Sequence, residues 1–234
     1  MKKHNNSKST FFKFRNFISN KNYEVSFHKG WHEISIFRIK FLKTTSEDNF
    51  LSQCVLKNME KKEKIFIISQ GEIKIKKRKI LKKKLNKFDC FHTNKSLKKL
   101  EFNCKKGSQL FIILGKKNSY HNFKNKFFNF EKNLKKINLW GGKCISRVFH
   151  GNKISVVLFK LKKDFKFHDK GHKNEQITWL IKGKMKFYIG KKSSSLLANK
   201  TSVDIGPFDY HGGMSYGAIG FDAFSPKRAE KRYS

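Results

Sequence analysis

Arginine is scarce in this chain although basic residues abound. The 234 residues include 54 Lys and Arg against 17 Asp and Glu, a formal net charge of +37, and only 6 of the basic residues are Arg. Because the forked guanidinium is the group best suited to read phosphates and bases, its scarcity argues against a dedicated nucleic-acid reader. The 25 Phe beside 4 Ala and 2 Pro are typical of A/T-rich coding. We therefore attribute most of the charge to genome composition, although it still favours nonspecific binding of anions.

Cysteine pairs and long apolar runs are also absent. The four cysteines, Cys54, Cys90, Cys104 and Cys144, form no C-x-x-C motif, which argues against a zinc knuckle or a disulfide framework and favours a reducing cytoplasm. No stretch approaches the ~18 apolar residues of a membrane span. The basic N-terminus lacks the apolar core of a secretion signal. It is compatible with a frayed tail or with a transit peptide, which would make the protein organellar.

Short strand-like runs dominate the sequence after Trp31. Apolar residues make up 38% of the chain, enough for a sizeable core, and they alternate with polar residues or form compact runs bounded by turns. The runs are 34–39, 65–69, 73–76, 110–114, 144–149, 154–161, 177–181, 185–189 and 220–224. The only helix candidate, 127–137, is weakly patterned. These features predict an all-β chain.

Two stretches share one rhythm, which indicates an internal duplication. In each, an acidic residue, an apolar strand, a Gly turn and an alternating strand follow in order, with Glu63 eight residues before Gly71 and Glu175 eight before Gly183. The repeat predicts two β-barrels of the jelly-roll type. The predicted organisation is a basic tail (1–22), a first barrel (23–118), a linker (119–139) and a second barrel (140–234).

Side chains typical of metal sites gather around one strand of the second barrel. His168, His172, Glu175 and Gln176 precede or begin the strand 177–181, and His211 follows 35 residues after Gln176. Imidazole nitrogens with an amide or carboxylate oxygen would suit Zn, Fe, Ni, Cu or Mn. The alternative is that these histidines are surface polar groups.

These residues resemble the cupin superfamily. The segment from His172 to Gln176 is similar to the first cupin motif in its H-x-x-E-Q form, and His211 stands where the second motif places its histidine. The end of the chain, from Phe221 to Arg228, is similar to the closing F-S-P-x-R strand of small cupins that convert unsaturated uronates to linear deoxy-keto-uronates. The resemblance covers about residues 140–234, whereas the first barrel resembles a cupin only in its strand rhythm. The implied fold is therefore two cupin-like jelly-roll barrels in tandem, the first degenerate.

The resemblance also implies roles for individual residues. His172, Gln176 and His211 match ligands of a divalent metal ion. Asp222 and Phe224 match the acidic and aromatic positions of the closing strand, where a residue moves protons, and we place Phe224 at the substrate. Arg228, with Lys227, could pair with a substrate carboxylate or belong to a solvated tail. The family's H-x-H is broken, because Lys170 stands two residues before His172. Either His168 loops back as the first ligand, or Lys170 occupies the place and the site has three ligands.

The two-residue period of a strand adds predictions about direction. Glu175 and Trp179 should face away from Gln176, towards the outer sheet or the other lobe. Asp222 should share a face with Phe224, and the resemblance places that face inside the barrel. The first lobe offers only Glu63, His92 and His121, at positions unlike either motif. We therefore expect a metal-free lobe that is structural or dimerising, which makes a homodimer compatible with the sequence.

The resulting function hypothesis is a metal-dependent cupin enzyme, an isomerase or lyase of a small anionic sugar acid such as an unsaturated uronate. An alternative is a non-catalytic bicupin that binds a sugar or an anion. A weaker alternative is an RNA-associated basic protein; nucleic-acid and membrane partners are otherwise not expected.

Overall fold

The computed structural model describes residues 9–14, 16–19, 21–31, 33–45, 62–77, 80–94, 100–117 and 125–228 of the chain. In these residues the chain is almost entirely β, as the sequence predicts. The elements are β1 (Thr10–Lys13), β2 (Asn16–Ser19), β3 (Tyr23–Lys29), β4 (Ser35–Phe41), β5 (Lys62–Gln70), β6 (Ile73–Lys77), β7 (Ile80–Leu85), β8 (Asp89–Thr93), β9 (Glu101–Cys104), β10 (Gln109–Lys117), β11 (Lys126–Asn129), α1 (Phe130–Asn133), β12 (Ile137–Leu139), β13 (Cys144–His150), β14 (Ser155–Asp169), β15 (Glu175–Lys182), β16 (Lys184–Ile189), β17 (Lys192–Leu197), β18 (Thr201–Ile205) and β19 (His211–Ser225).

The strands form two compact units. The C-terminal unit holds the described residues within 9–14, 29–34 and 134–228, and the N-terminal unit holds those within 16–28 and 35–133. These bounds differ from the predicted ones at both junctions. β1, in the predicted tail, pairs with β18, and β11, in the predicted linker, pairs with β8. Pairing with a strand distant in sequence leaves no local signal, which explains why neither edge strand was predicted.

The C-terminal unit is organised around its longest strands. β19 pairs with β14 along most of its length, while its first half pairs with β16 and its second half with β15. The main sheet runs in the order β1-β18-β15-β19-β14-β13-β12. Alternation explains the strands: in β16, Met185, Phe187 and Ile189 are buried between exposed or half-buried residues. They join a core with Phe159, Leu180 and Val203 among its members.

The N-terminal unit repeats this pairing scheme with shorter strands. Its main sheet runs β11-β8-β5-β10-β4-β3-β2, and β7, β6 and β9 form a smaller sheet. Its separate core contains Phe66, Ile68, Phe91, Ile112 and other apolar residues. The order β8-β5-β10-β4 thus matches the order β18-β15-β19-β14 of the C-terminal unit, with the second half of β19 in the place of β10. The common order supports the predicted duplication.

The two predicted turns are built on glycine. Gly71 and Gly183 adopt φ angles of 76° and 81°, in the left-handed region where a side chain is strained. A Cβ on Gly183 would also lie 1.9 Å from the carbonyl oxygen of Gly217. The acid-to-glycine spacing seen in the sequence therefore marks the same turn in both units. The described residues contain no helix long and apolar enough to cross a membrane.

Candidate metal centre

Three neighbouring strands bring the candidate site residues together. Asp169 ends β14 and pairs with His211, which begins β19. On the other edge of β19, Phe224 pairs with Gln176 of β15. His172 lies in the turn between β14 and β15. The sheet register therefore gathers residues that are far apart in the sequence.

Asp169, His172 and His211 form a cluster with the composition of a metal site. Each offers a ligand atom, and these atoms all lie within 4.8 Å of one another. The two imidazole rings meet edge to face with centroids 5.4 Å apart, and the residues are only 8% and 3% exposed. Imidazole nitrogens with a carboxylate oxygen are a common ligand set for divalent transition metals. The cluster could therefore hold a metal ion.

His211 is oriented by the loop that precedes it. Its Nδ1 lies 2.8 Å from the carbonyl oxygen of Asp209, to which it donates a hydrogen bond. In a neutral imidazole this leaves Nε2 with the lone pair. A backbone carbonyl that fixes the tautomer in this way is a usual partner of a metal-ligating histidine.

The Gln176 amide is fixed by partners on both of its ends. Its nitrogen donates to Thr178 Oγ1 at 2.8 Å and to Asp222 Oδ1 at 3.1 Å. Thr178 donates its hydroxyl proton to the same Asp222 oxygen at 2.6 Å. The amide oxygen therefore points the other way, and it accepts a hydrogen bond from His172 Nε2 at 2.9 Å. Gln176 thus links the His172 imidazole to the Asp222 carboxylate.

His172 carries an unused lone pair inside the protein. Because Nε2 donates to Gln176, Nδ1 is the unprotonated nitrogen, and this buried atom has no hydrogen-bond partner among the described residues. Burial, followed by the charge of Arg228, lowers the pKa of His172 to about 4, and burial also lowers the pKa of His211. Both imidazoles are therefore neutral at neutral pH, the state that ligates metals. A divalent metal fits this donor set.

Arg228 lies beside the cluster and forms an ion pair with one of its members, Asp169. Its Nη2 lies 2.9 Å from Asp169 Oδ2, and its guanidinium stands over the Phe224 ring at 5.0 Å. The residue is only 4% exposed. Phe224 also contacts the His172 ring, with centroids 5.6 Å apart. Both predicted substrate-contacting residues thus adjoin the cluster, with the arginine paired to a carboxylate of the chain itself.

The structure brings Asp169 to the cluster in place of His168. Along β14, Phe165 is buried and Phe167 and Asp169 are half-buried, whereas Lys166 and His168 are exposed. The two-residue period therefore turns His168 outwards, away from His172. Lys170, the other candidate for the first ligand, is exposed as well. The alternation of Phe165, Phe167 and Asp169 was the sequence signal that could have identified the carboxylate.

Asp222 points into the interior of the C-terminal unit. It lines a cavity that also reaches Gln176 and Thr178, the partners of its Oδ1 atom. On the opposite face of β19, Phe221 stacks on Trp179 with ring centroids 5.5 Å apart. Asp222 and Phe224 thus share the inner face, and Trp179 faces away from Gln176, in agreement with the strand period.

Glu175 lies on the face of β15 opposite to Gln176, where it binds backbone groups. Its Oε2 accepts hydrogen bonds from the backbone N–H groups of Glu33 and Ile34 at 2.7 and 3.2 Å. It also faces Asp204, and burial together with the Glu175 charge raises the pKa of Asp204 to about 7. This side chain therefore holds the segment around residues 29–34 rather than a ligand.

The N-terminal unit has no comparable cluster in its described residues. Glu63 Oε1 lies 2.7 Å from His92 Nε2, and both residues are buried. His121, the third candidate of this lobe, lies outside the described residues. This acid–imidazole pair is buried and self-contained, and the expectation of a metal-free, structural lobe stays a prediction.

Known structures support the fold. No protein-family model matches the sequence, and no curated protein matches it. Among solved structures, the chain is similar to YlbA from Escherichia coli, described by the family model DUF861, with a TM-score of 0.71 and 9% identity over 96% of this chain and 93% of that one. AerE from Microcystis aeruginosa gives a TM-score of 0.67 and 12% identity over 92% of this chain and 97% of that one.

Oxalate decarboxylases form a second group of similar structures. The Bacillus subtilis enzyme OxdC gives a TM-score of 0.65 with 6% identity, covering 94% of this chain and 78% of that one. Another structure of the Bacillus subtilis enzyme is titled for its Mn(II) centres. These neighbours are cupin-fold proteins, so the comparison confirms the predicted cupin fold with tandem barrels.

Proposed function

We propose that this chain is a metal-dependent cupin enzyme that acts on a small carboxylic acid. The observation that carries the proposal is the buried cluster of Asp169, His172 and His211, with neutral imidazoles and an unpartnered nitrogen on His172. Gln176, which the sequence offers as a ligand, accepts the hydrogen bond from His172 Nε2 in this structure and would orient that imidazole toward the ion. The Mn(II) centres of a similar fold make Mn one candidate beside Zn, Fe and Ni.

A bound divalent ion would act as a Lewis acid that polarises an oxygen of the substrate. The chain's own proton carrier would be Asp222, the only carboxylate among the described residues that line the cavity. Thr178 and Gln176 both donate to its Oδ1, so the carboxylate is held in one orientation. A carboxylate positioned in this way can take a proton from one substrate atom and return it to another.

The basic character of the protein supports an anionic substrate. The net charge of +37 attracts anions in general, and the buried Arg228 places a cation next to the cluster. The resemblance of the closing strand indicates an unsaturated uronate as the first substrate to test. With a uronate the reaction would be a proton transfer that opens or isomerises the sugar acid, and with another carboxylic acid Asp222 would likewise move a proton between two substrate atoms.

The first experiment measures metal content. Purified wild-type protein should carry about one divalent ion per chain, and His211→Ala should lose it. His168→Ala is the matched control, because His168 is exposed on the outer face of β14 and should leave the metal in place. A metal-free wild-type protein that takes up none of these ions on dialysis would refute the proposal.

The second experiment separates the enzyme from its alternative. A non-catalytic binding protein is favoured by the Asp169–Arg228 pair, which occupies the cation that would otherwise hold a substrate carboxylate. For an enzyme, Asp222→Asn should retain the metal and lower turnover by ~10²–10⁴-fold, the usual loss of general acid–base catalysis. Unchanged turnover in Asp222→Asn would leave the binding protein as the better account.

A further inference from the structure

The cavity beside the metal centre contains few polar groups. Its polar groups are the side chains of Ser146, Gln176, Thr178 and Asp222, the Cys144 thiol and the indole N–H of Trp140. Hydrogen bonds connect three of these side chains, Gln176, Thr178 and Asp222, to one another. Ser146 Oγ lies 3.4 Å from Cys144 Sγ. Much of the cavity's hydrogen-bonding capacity is therefore used within the protein.

The rest of the cavity wall is aromatic or aliphatic. It is formed mainly by Trp140, Phe159, Leu161, Phe167, Met185 and Phe187. The Trp140 side chain reaches the surface, at 47% exposure, and its ring packs 5.4 Å from Phe165. The wall thus extends from the buried core to an aromatic residue that solvent can reach.

The apolar wall and the candidate metal centre are adjacent. Phe187 lines the cavity and also stacks on His211, with centroids 6.0 Å apart. Gln176 lines the cavity and accepts the hydrogen bond from His172. A molecule whose carboxylate bound at the metal centre and whose body entered this cavity would place that body against apolar side chains.

This lining discriminates between classes of carboxylic acid. Each hydroxyl of a sugar acid loses its hydrogen bonds to water on entering the cavity, and most would find no protein partner there. An aromatic or alicyclic group loses no such bonds and gains contact with the rings. The cavity therefore opposes a molecule with a hydroxyl on nearly every carbon.

We infer that the substrate is a small carboxylic acid with a largely apolar body rather than a polyhydroxylated sugar acid. This inference rests on the proposed function, because the metal centre is what receives the carboxylate. It replaces the sugar-acid class, which depends on the closing-strand resemblance alone. Trp140 and Phe159 become specificity-determining residues that contact the apolar body.

The test compares two probes of the same charge. Phenylacetate and galacturonate are titrated by calorimetry into full-length, metal-loaded protein, whose metal content is measured in the same sample. We expect phenylacetate to bind at least ~10-fold more tightly, because apolar and hydroxylated groups are separated by such factors in matched pockets. Trp140→Ala should weaken phenylacetate binding, whereas Tyr216→Ala, which removes an exposed aromatic that does not line the cavity, should not.

The outcomes separate the two proposals. Tighter binding of galacturonate, or binding of neither acid at millimolar concentration, overturns the inference even when the protein carries its metal. A protein without metal that still prefers phenylacetate, with the same loss in Trp140→Ala, refutes the proposed function and supports the apolar cavity. Equal effects of Trp140→Ala and Tyr216→Ala would also overturn the inference.

Discussion

The two units use one pairing scheme but place different chemistry at matching positions. Gln176 and Lys64 each follow a buried glutamate and precede the turn glycine by seven residues. Gln176 pairs with Phe224, and Lys64 pairs with Leu114 in the same way. Lys64 is 1% exposed, and its ammonium donates to the carbonyl oxygen of Lys62 at 2.8 Å. The position of the amide that orients His172 thus holds a lysine in the N-terminal unit.

The other site positions differ in the same direction. The pair of Asp222 with Thr178 corresponds to the pair of Ile112 with Phe66 in the N-terminal unit, so Ile112 stands at the position of Asp222. Phe102 pairs with Ile75 as Gly213 pairs with Phe187, so Phe102 and Gly213 occupy matching positions. Two residues earlier, Leu100 therefore stands at the position of His211. Apolar side chains have replaced the carboxylate and the imidazole. The comparison shows that the barrel is maintained by its apolar core, whereas the candidate site depends on a few polar substitutions within it.

The largest effect should come from giving the C-terminal unit the residue of its counterpart. Gln176→Lys would place an ammonium beside His172, where it repels a divalent ion and removes the amide oxygen. We expect metal affinity, measured by competition with a chelator, to fall by at least ~100-fold, because the repulsion adds to the ~10–100-fold loss that follows removal of a group that orients a ligand. Gln176→Glu, which keeps an oxygen that can accept the hydrogen bond from His172 Nε2, is the control and should retain the metal. Metal retention in Gln176→Lys would show that Gln176 is not part of the site.

The two units also show which parts of the fold local sequence patterns predict. The strand runs, the turn glycines and the duplication were predictable because each leaves a local pattern of period two or a φ requirement at one residue. The edge strands β1 and β11 were not, because their partners lie far along the chain and their own four residues carry little signal. Pairing between distant segments is a tertiary property that overrides local pattern.

The candidate site was predictable to the same degree. His172, Gln176 and His211 stand in recognisable motifs, and the structure places all three side chains close together. Asp169 was missed because the H-x-H pattern directs attention to histidines, whereas the pleat of β14 decides which neighbour faces inwards. The direction of a side chain at the end of a strand depends on the register, which the sequence motif does not contain.

A second difference between the units predicts a pH effect on stability. Asp204 pairs with Ile177, and His92 pairs with Ile65 at the matching position. Glu63 therefore meets an imidazole in the N-terminal unit, while Glu175 meets a second carboxylate. Because burial raises the pKa of Asp204 from 3.8 to about 7, the folded state holds this proton more tightly than the unfolded state. Its contribution to stability is full below about pH 3.8 and is lost as the pH rises through 7.

Asp204→Asn should remove this dependence. At pH 8 the variant should be more stable than the wild type by up to ~4 kcal/mol, since each pH unit of pKa displacement corresponds to ~1.4 kcal/mol. At pH 4 the two should differ little. Urea denaturation of both proteins between pH 4 and pH 8 measures the difference directly. A constant difference across this range would show that Asp204 does not titrate between the folded and unfolded states.

The smallest effect is expected from the reverse exchange, Lys64→Gln in the N-terminal unit. This substitution restores the amide of the metal motif, but Leu100 and Ile112 remain at the positions of the imidazole and the carboxylate. A single amide oxygen does not hold a divalent ion, because such sites need three or more donors. The variant should therefore bind no additional metal, and its free energy of unfolding should change by only ~1 kcal/mol, about the net value of one hydrogen bond. Metal analysis in the His211→Ala background isolates any ion bound by the N-terminal unit, and the double variant should remain metal-free. One ion per chain in that double variant would mean that the N-terminal unit retains ligands elsewhere, and that the division into a structural and a metal-binding barrel is wrong.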